Sequence, residues 1–217
     1  IHRMDGVMAF DTIIKGGTVV DGSGLPKRIA DVGIRDGRIT DVGRLGGARQ
    51  TIDASGLVVA PGIVDVHTHY DPQLSFDPFA TSSCYHGVTS VVAGNCGYSI
   101  APCRPQDHDY LTALFAKVEG MSPNVLRSGL PWDWESFPSF LDVLDKRLGI
   151  NAGMYVGHSA LRRYVMGEAA SERAATADEV GRMQGLVRDA MRAGAAGFSS
   201  SRAPTHVDQF GCPVPSR

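Results

Sequence analysis

The chain has 217 residues, of which 43% are hydrophobic and 20% charged, with a formal net charge of -2. That is an ordinary soluble globular mix, which excludes disorder, collagen and coiled coil, and the charge argues against a nucleic-acid or anionic-membrane partner. Four cysteines in a chain this long do not make a disulfide framework, and no apolar run nears the ~20 residues of a spanning helix, so a reducing cytoplasm is the expected compartment.

Residues 1–9 read as a leader, with an expression remnant ahead of Met4 and none of the apolar centre of a signal peptide. Six short strands are expected next, at residues 10–15, 18–20, 29–34, 38–42, 51–53 and 57–60. Gly16-Gly17 reads as a turn between the first two. Asp36-Gly37 is a two-residue hairpin signal, because both central positions take positive φ. Strands at this spacing suggest a small antiparallel β-sandwich over residues 10–62, incomplete and marginal alone.

From residue 63 the pattern becomes strand, loop, helix. Strands are expected at 63–69 (buried), 88–93, 152–158 and 195–201, and helices at 107–119, 136–148 and 176–193. The second helix carries Pro138 in its first turn, repeats Phe140, Leu144 and Leu148, and stops at Gly149. The third has a Thr176/Glu179 capping box, an apolar face of Val180, Met183, Val187 and Met191, and Gly194 at its end. Alternating strands and helices predict a parallel sheet with crossover connections.

Asp65-Val66-His67-Thr68-His69 carries the chemistry. Residues two apart on a strand share a face, so His67 and His69 would project together at the carboxyl end, where α/β folds place their sites. Two imidazoles there can chelate a divalent ion; the alternative is a hydrogen-bonded pair at a strand mouth. Asp65 and Asp71 are candidate acceptors behind the histidines. Cys96, in the glycine-flanked turn Gly94-Asn95-Cys96-Gly97, would lie beside them if the strands at 63–69 and 88–93 are parallel neighbours. Its thiolate would be a third ligand, against the alternative of a buried structural cysteine. Cys84, Cys103 and Cys212 lack such a setting. Three ligands fill most of a catalytic zinc shell and suit amide or ester hydrolysis, but no carboxylate past Cys96 sits at a strand end to move the proton. His158 and Arg162 are substrate-side candidates; otherwise His158 caps the next helix and Arg162 pairs with an acid such as Glu168. Trp132 and Trp134 read as core or lid packing.

These blocks resemble the amidohydrolase superfamily. Ile13-Ile14-Lys15-Gly16-Gly17-Thr18-Val19-Val20-Asp21-Gly22 looks like its opening, and Ala60-Pro61-Gly62-Ile63-Val64-Asp65-Val66-His67-Thr68-His69 like its metal strand. Gly94-Asn95-Cys96-Gly97, Trp132-Asp133-Trp134-Glu135, Gly157-His158-Ser159-Ala160 and Gly194-Ala195-Ala196-Gly197-Phe198-Ser199 are similar to the N-acyl-D-amino-acid deacylase branch. The resemblance implies an α/β fold: a (β/α)₈ TIM-type barrel, its first half at residues 63–217, with a small β-sandwich. It also implies His67, His69 and Cys96 as metal ligands for one or two Zn²⁺ ions. The cysteine would replace the bridging lysine of many relatives. The four lysines (Lys15, Lys27, Lys117, Lys146) include none after residue 146, which agrees. The implied reaction is removal of the acyl group from an N-acyl-D-amino acid, a small-molecule substrate, by metal-bound hydroxide. Another C–N hydrolase of cyclic-amidase type, or a non-catalytic fragment of the fold, are the alternatives. The resemblance further implies that the chain is the N-terminal part of a longer enzyme, inactive by itself, with a general-base Asp beyond Arg217.

Overall fold

A computed structural model describes residues 9–145 and 147–216; of the expected leader, only Ala9 lies among them. The chain divides into two compact units, Ile1–Gly62 and Ile63–Arg217.

The first unit is built on β1 (Phe10–Val19), β2 (Arg28–Arg35), β3 (Arg38–Gly43), β4 (Ala48–Asp53) and β5 (Val58–Val59). They form one sheet in the order β3-β2-β1-β4, with β5 also pairing β1. Asp36 and Gly37 take φ of 51° and 70° and turn β2 into antiparallel β3. Gly16-Gly17 does not turn the chain. The register against β2 shifts between Ile14 and Gly17, so the glycines make a bulge that one continuous strand absorbs. The sheet is also mixed, because β4 and β5 run parallel to β1. Val19, Ala30 and Val32 are buried on this sheet with Ile14 and Val59 against them, whereas Ile29, Ile39, Ile52 and Val58 are exposed.

The second unit is an α/β layer. Strands β6 (Ile63–Asp65), β7 (Val88–Ala93), β8 (Asn151–Gly157) and β9 (Gly197–Ser199) lie side by side in chain order, all parallel. Helices α1 (His108–Val118), α2 (Pro123–Gly129) and α3 (Phe137–Leu144) connect β7 to β8, and α4 (His158–Met166) and α5 (Ala177–Ala193) connect β8 to β9. The core gathers Val91, Ala93, Met154 and Val156 from the sheet with Phe115, Phe140 and Trp134 from the connections. Trp134 is buried and its Nε1 donates to Ile100 O at 2.9 Å; Trp132 stacks on His108 at 4.2 Å. No helix among the described residues is long and apolar enough to cross a membrane.

Several elements are shorter than their patterns suggest. The strand expected at 63–69 ends at Asp65. It is an edge strand, and Ile63 and Val64 are 54% and 57% exposed rather than buried. The helix expected at 136–148 starts from its Ser136/Ser139 capping box but stops at Leu144. Gly149 N donates to Pro78 O at 2.9 Å, and Phe79 fills the space of any Cβ at 149. This packing pulls the chain out of the helix while Leu148 still rests on the core. Helix α5 has its Thr176/Glu179 box and left-handed Gly194, but its inner face is Met183, Val187 and Ala190. Val180 and Met191 are exposed. The strands expected at 152–158 and 195–201 span Asn151–Gly157 and Gly197–Ser199.

Candidate metal centre

Just past β6 the chain is pinned to β7. Thr68 N and Oγ1 both donate to Val92 O at 2.9 Å. Thr68 is buried, and His67 and His69 flank it. After β7 the chain turns through Gly94, Cys96 and Gly97 with φ of 80°, 55° and 81°. A Cβ on Gly94 would lie 2.3 Å from Tyr155 O of β8, so only glycine fits. Gly94 N donates to Asp71 Oδ2 at 2.9 Å, and Asn95 Nδ2 to Thr68 O at 3.1 Å. The cysteine turn and the histidine segment are thereby tied together.

The result is a convergent donor set. Ligand atoms of His67, His69 and Cys96 all lie within 4.8 Å of one another, and among the described residues they are the one such group of His, Cys or acidic side chains. His67 Nε2 is 3.3 Å from Cys96 Sγ. Bond lengths of ~2.0 and ~2.3 Å in a tetrahedral shell separate N and S by roughly 3.5 Å. The residues therefore fit a borderline-soft cation such as zinc.

Electrostatics favour the ligand form of the imidazole. Burial, then repulsion from His67 and His206, pushes His69 down to about 4, so it is neutral at pH 7. Burial, then Glu119, raises the Cys96 thiol. A cation would displace the thiol proton. The His69 Nδ1 atom is buried without a hydrogen-bond partner. Its nearest acidic neighbour is Glu119 Oε1 at 3.4 Å, beyond the usual ~2.7–3.2 Å of an N–H···O bond. Glu119 caps α1, and burial raises its carboxyl. His69, Cys96, Tyr98, Glu119 and His206 line a cavity of about 330 Å³.

The two aspartates hold backbone instead of imidazole. Asp65 Oδ1 accepts from His67 N at 3.2 Å. Asp71 is fully buried and is pushed up to about 7 by that burial, against the donation from Gly94.

Residues 50–210 match the model of the amidohydrolase family. The chain belongs to that family. It is 40% identical over 195 residues to the D-aminoacylase of Alcaligenes xylosoxydans xylosoxydans, covering 88% of this chain and 37% of that protein. With N-acyl-D-glutamate deacylase of the same organism it shares 38% over 195 residues, 89% of this chain and 37% of the relative. A crystal structure of N-acyl-D-glutamate deacylase from Bordetella bronchiseptica, complexed with zinc and a phosphonate mimic of the tetrahedral intermediate, superposes with a TM-score of 0.75. Identity is 39%, covering 93% of this chain and 40% of that one. The chain thus spans about two fifths or less of the length of these amidohydrolases.

Other candidates lie apart from the donor set. His158 opens α4 instead of ending a strand, and its Nδ1 meets Ser200 Oγ at 2.9 Å. Arg162 Nη2 donates to Ala170 O and Arg173 O, each at 2.9 Å. Neither lines the cavities beside His67, His69 and Cys96. Of the remaining cysteines, Cys103 is buried, Cys84 half-buried and Cys212 exposed, all unpaired. The sequence does not announce Glu119, because a helix end fifty residues from His69 carries no local sign of its neighbour.

Proposed function

We propose that this chain is part of a zinc-dependent amide hydrolase that removes the acyl group from N-acyl-D-amino acids. The observation that carries the proposal is the convergence of His67, His69 and Cys96 within 4.8 Å. The deacylase relatives support the substrate class. In this reading the two imidazoles and the thiolate hold the ion. Zinc bound there supplies a water of pKa near ~7 and polarises an amide carbonyl. The Glu119 carboxyl stands 3.4 Å from His69 Nδ1, where its negative charge would favour a cation held by the neighbouring donors. Thr68, Asp71 and Asn95 fix the two backbone segments that present the donors. We further infer that β6 to β9 are the first half of a (β/α)₈ barrel over residues 63–217. The five-stranded sheet of residues 10–62 would be one layer of a small β-sandwich: exposed Ile52 pairs with Ile14 on the face that carries Val19, Ala30 and Val32, and that face suits a second layer. The four unpaired cysteines favour a reducing cytoplasm.

The test is hydrolysis by the intact protein that carries this chain, loaded with zinc, against a panel of N-acetyl-D-amino acids, N-acetyl-L-amino acids and cyclic amides. Release of free D-amino acid, abolished by chelation, restored by zinc and absent in His67→Ala, is the expected outcome. Chelator-insensitive turnover, or activity confined to the cyclic amides, would overturn the proposal.

A further inference from the structure

Cys96 is held in a conformation that an L-residue adopts reluctantly. Its φ is 55°, and Gly94 and Gly97 on either side are also left-handed. Within the turn, one backbone bond runs from Tyr98 N to Asn95 O at 2.8 Å. Other braces come from outside it. One side chain braces both ends at once. Ser199 Oγ donates to Gly94 O and accepts from Gly97 N at 3.0 Å. Gly94 and Gly97 bracket Asn95 and Cys96, so a single hydroxyl closes the loop around the thiol-bearing residue.

The brace has its own anchor. Ser199 is the last residue of β9, and its backbone pairs with Gly157 of β8. Its position is therefore set by the sheet and not by the turn it holds. The next residue, Ser200, bonds His158 instead, so the Gly94 and Gly97 contacts belong to Ser199 in particular. Removing the hydroxyl strands one N–H and one C=O and frees Cys96 to leave the left-handed region. Either movement redirects Cβ and swings Sγ away from its 3.3 Å approach to His67 Nε2.

We infer that Ser199 is a positioning residue for Cys96, its hydroxyl fixing the turn so that the thiol meets the two imidazoles at a common cation. The inference rests on the reading of Cys96 as a metal ligand given above.

The experiment measures Zn²⁺ affinity by chelator competition and the thiolate-to-metal charge-transfer band of the Co²⁺-loaded protein. The intact protein is compared with Ser199→Ala, Ser199→Thr, Cys96→Ala and Ser159→Ala. Ser159 is a control: its buried hydroxyl accepts from Ser216 N at 3.2 Å, outside the turn. Ser199→Ala is expected to bind zinc about 10–100-fold more weakly, with a weakened charge-transfer band. Ser199→Thr should restore both, and Ser159→Ala should match the unsubstituted protein. If Cys96→Ala loses affinity while Ser199→Ala does not, or if Ser159→Ala loses as much as Ser199→Ala, the positioning role is refuted. If Cys96→Ala itself binds normally, the ligand reading beneath it fails instead. Should Ser199→Ala not fold, amide exchange in the unsubstituted protein decides. A protected Gly97 N–H agrees with the brace, and exchange at the rate of an open loop contradicts it.

Discussion

Gly94→Ala isolates the close approach that places the cysteine turn. Two costs are added. The first is conformational: φ is 80°, and a Cβ in the left-handed region costs ~1–2 kcal/mol, offset by ~0.4–1 kcal/mol from the stiffer unfolded chain. The second is steric. The new Cβ would stand 2.3 Å from Tyr155 O and 3.0 Å from Tyr155 C and N. These are backbone atoms of the sheet, which cannot rotate away, so overpacking adds about 1–3 kcal/mol. Gly87→Ala supplies the reference, because Gly87 has φ of 83° and nothing within 4 Å of its ideal Cβ. The shared conformational cost cancels between the two. Urea unfolding, followed by fluorescence of the buried Trp134, should show Gly87→Ala losing roughly 1 kcal/mol and Gly94→Ala about 2–4 kcal/mol. Equal losses in the two variants would show that Tyr155 does not crowd position 94.

Glu119→Gln should weaken zinc binding by about 10–100-fold through the loss of its charge beside His69; a change under about twofold would remove Glu119 from the site. Arg162→Met should cost ~1–3 kcal/mol of stability in urea by stripping the Ala170 and Arg173 carbonyls of their donor, with KM unchanged. A raised KM at full stability would instead assign Arg162 to the substrate. Glu179 is held down to about 2 by its bond to Arg173, then by the Thr176 amide. Its folded pKa is below the ordinary 4.5, so its stabilisation is present above 4.5 and is lost as pH falls through about 2. Glu179→Gln should therefore flatten the stability curve of α5 across that window, read from amide exchange at its first turn. An unchanged slope would contradict the assignment.

What the sequence makes legible here is local chemistry. Thr176, Glu179 and Gly194 mark both ends of α5 because caps are made by residues a few positions apart. Asp36-Gly37 announces its hairpin for the same reason. Gly16-Gly17 misleads, since two glycines suit a bulge as well as a turn, and only the pairing of β1 with β2 separates them. Leu148 keeps the helical spacing of Phe140 and Leu144 yet lies beyond the helix, because tertiary packing at Pro78 and Phe79 ends α3 first. At the candidate site, the His-x-His spacing and the glycine-flanked cysteine are visible in the sequence as candidates. Glu119 and Ser199 are not, because the neighbours they meet are fixed by how α1 and β9 pack and not by any nearby residue.

The proposed hydrolase depends on two imidazoles and one thiolate sharing a cation. X-ray absorption at the zinc edge of the zinc-loaded protein tests it most directly. The expected result is nitrogen at ~2.0–2.1 Å and one sulfur at ~2.3 Å around the zinc, with the sulfur lost in Cys96→Ala. A shell of nitrogen and oxygen alone in the unsubstituted protein would contradict it.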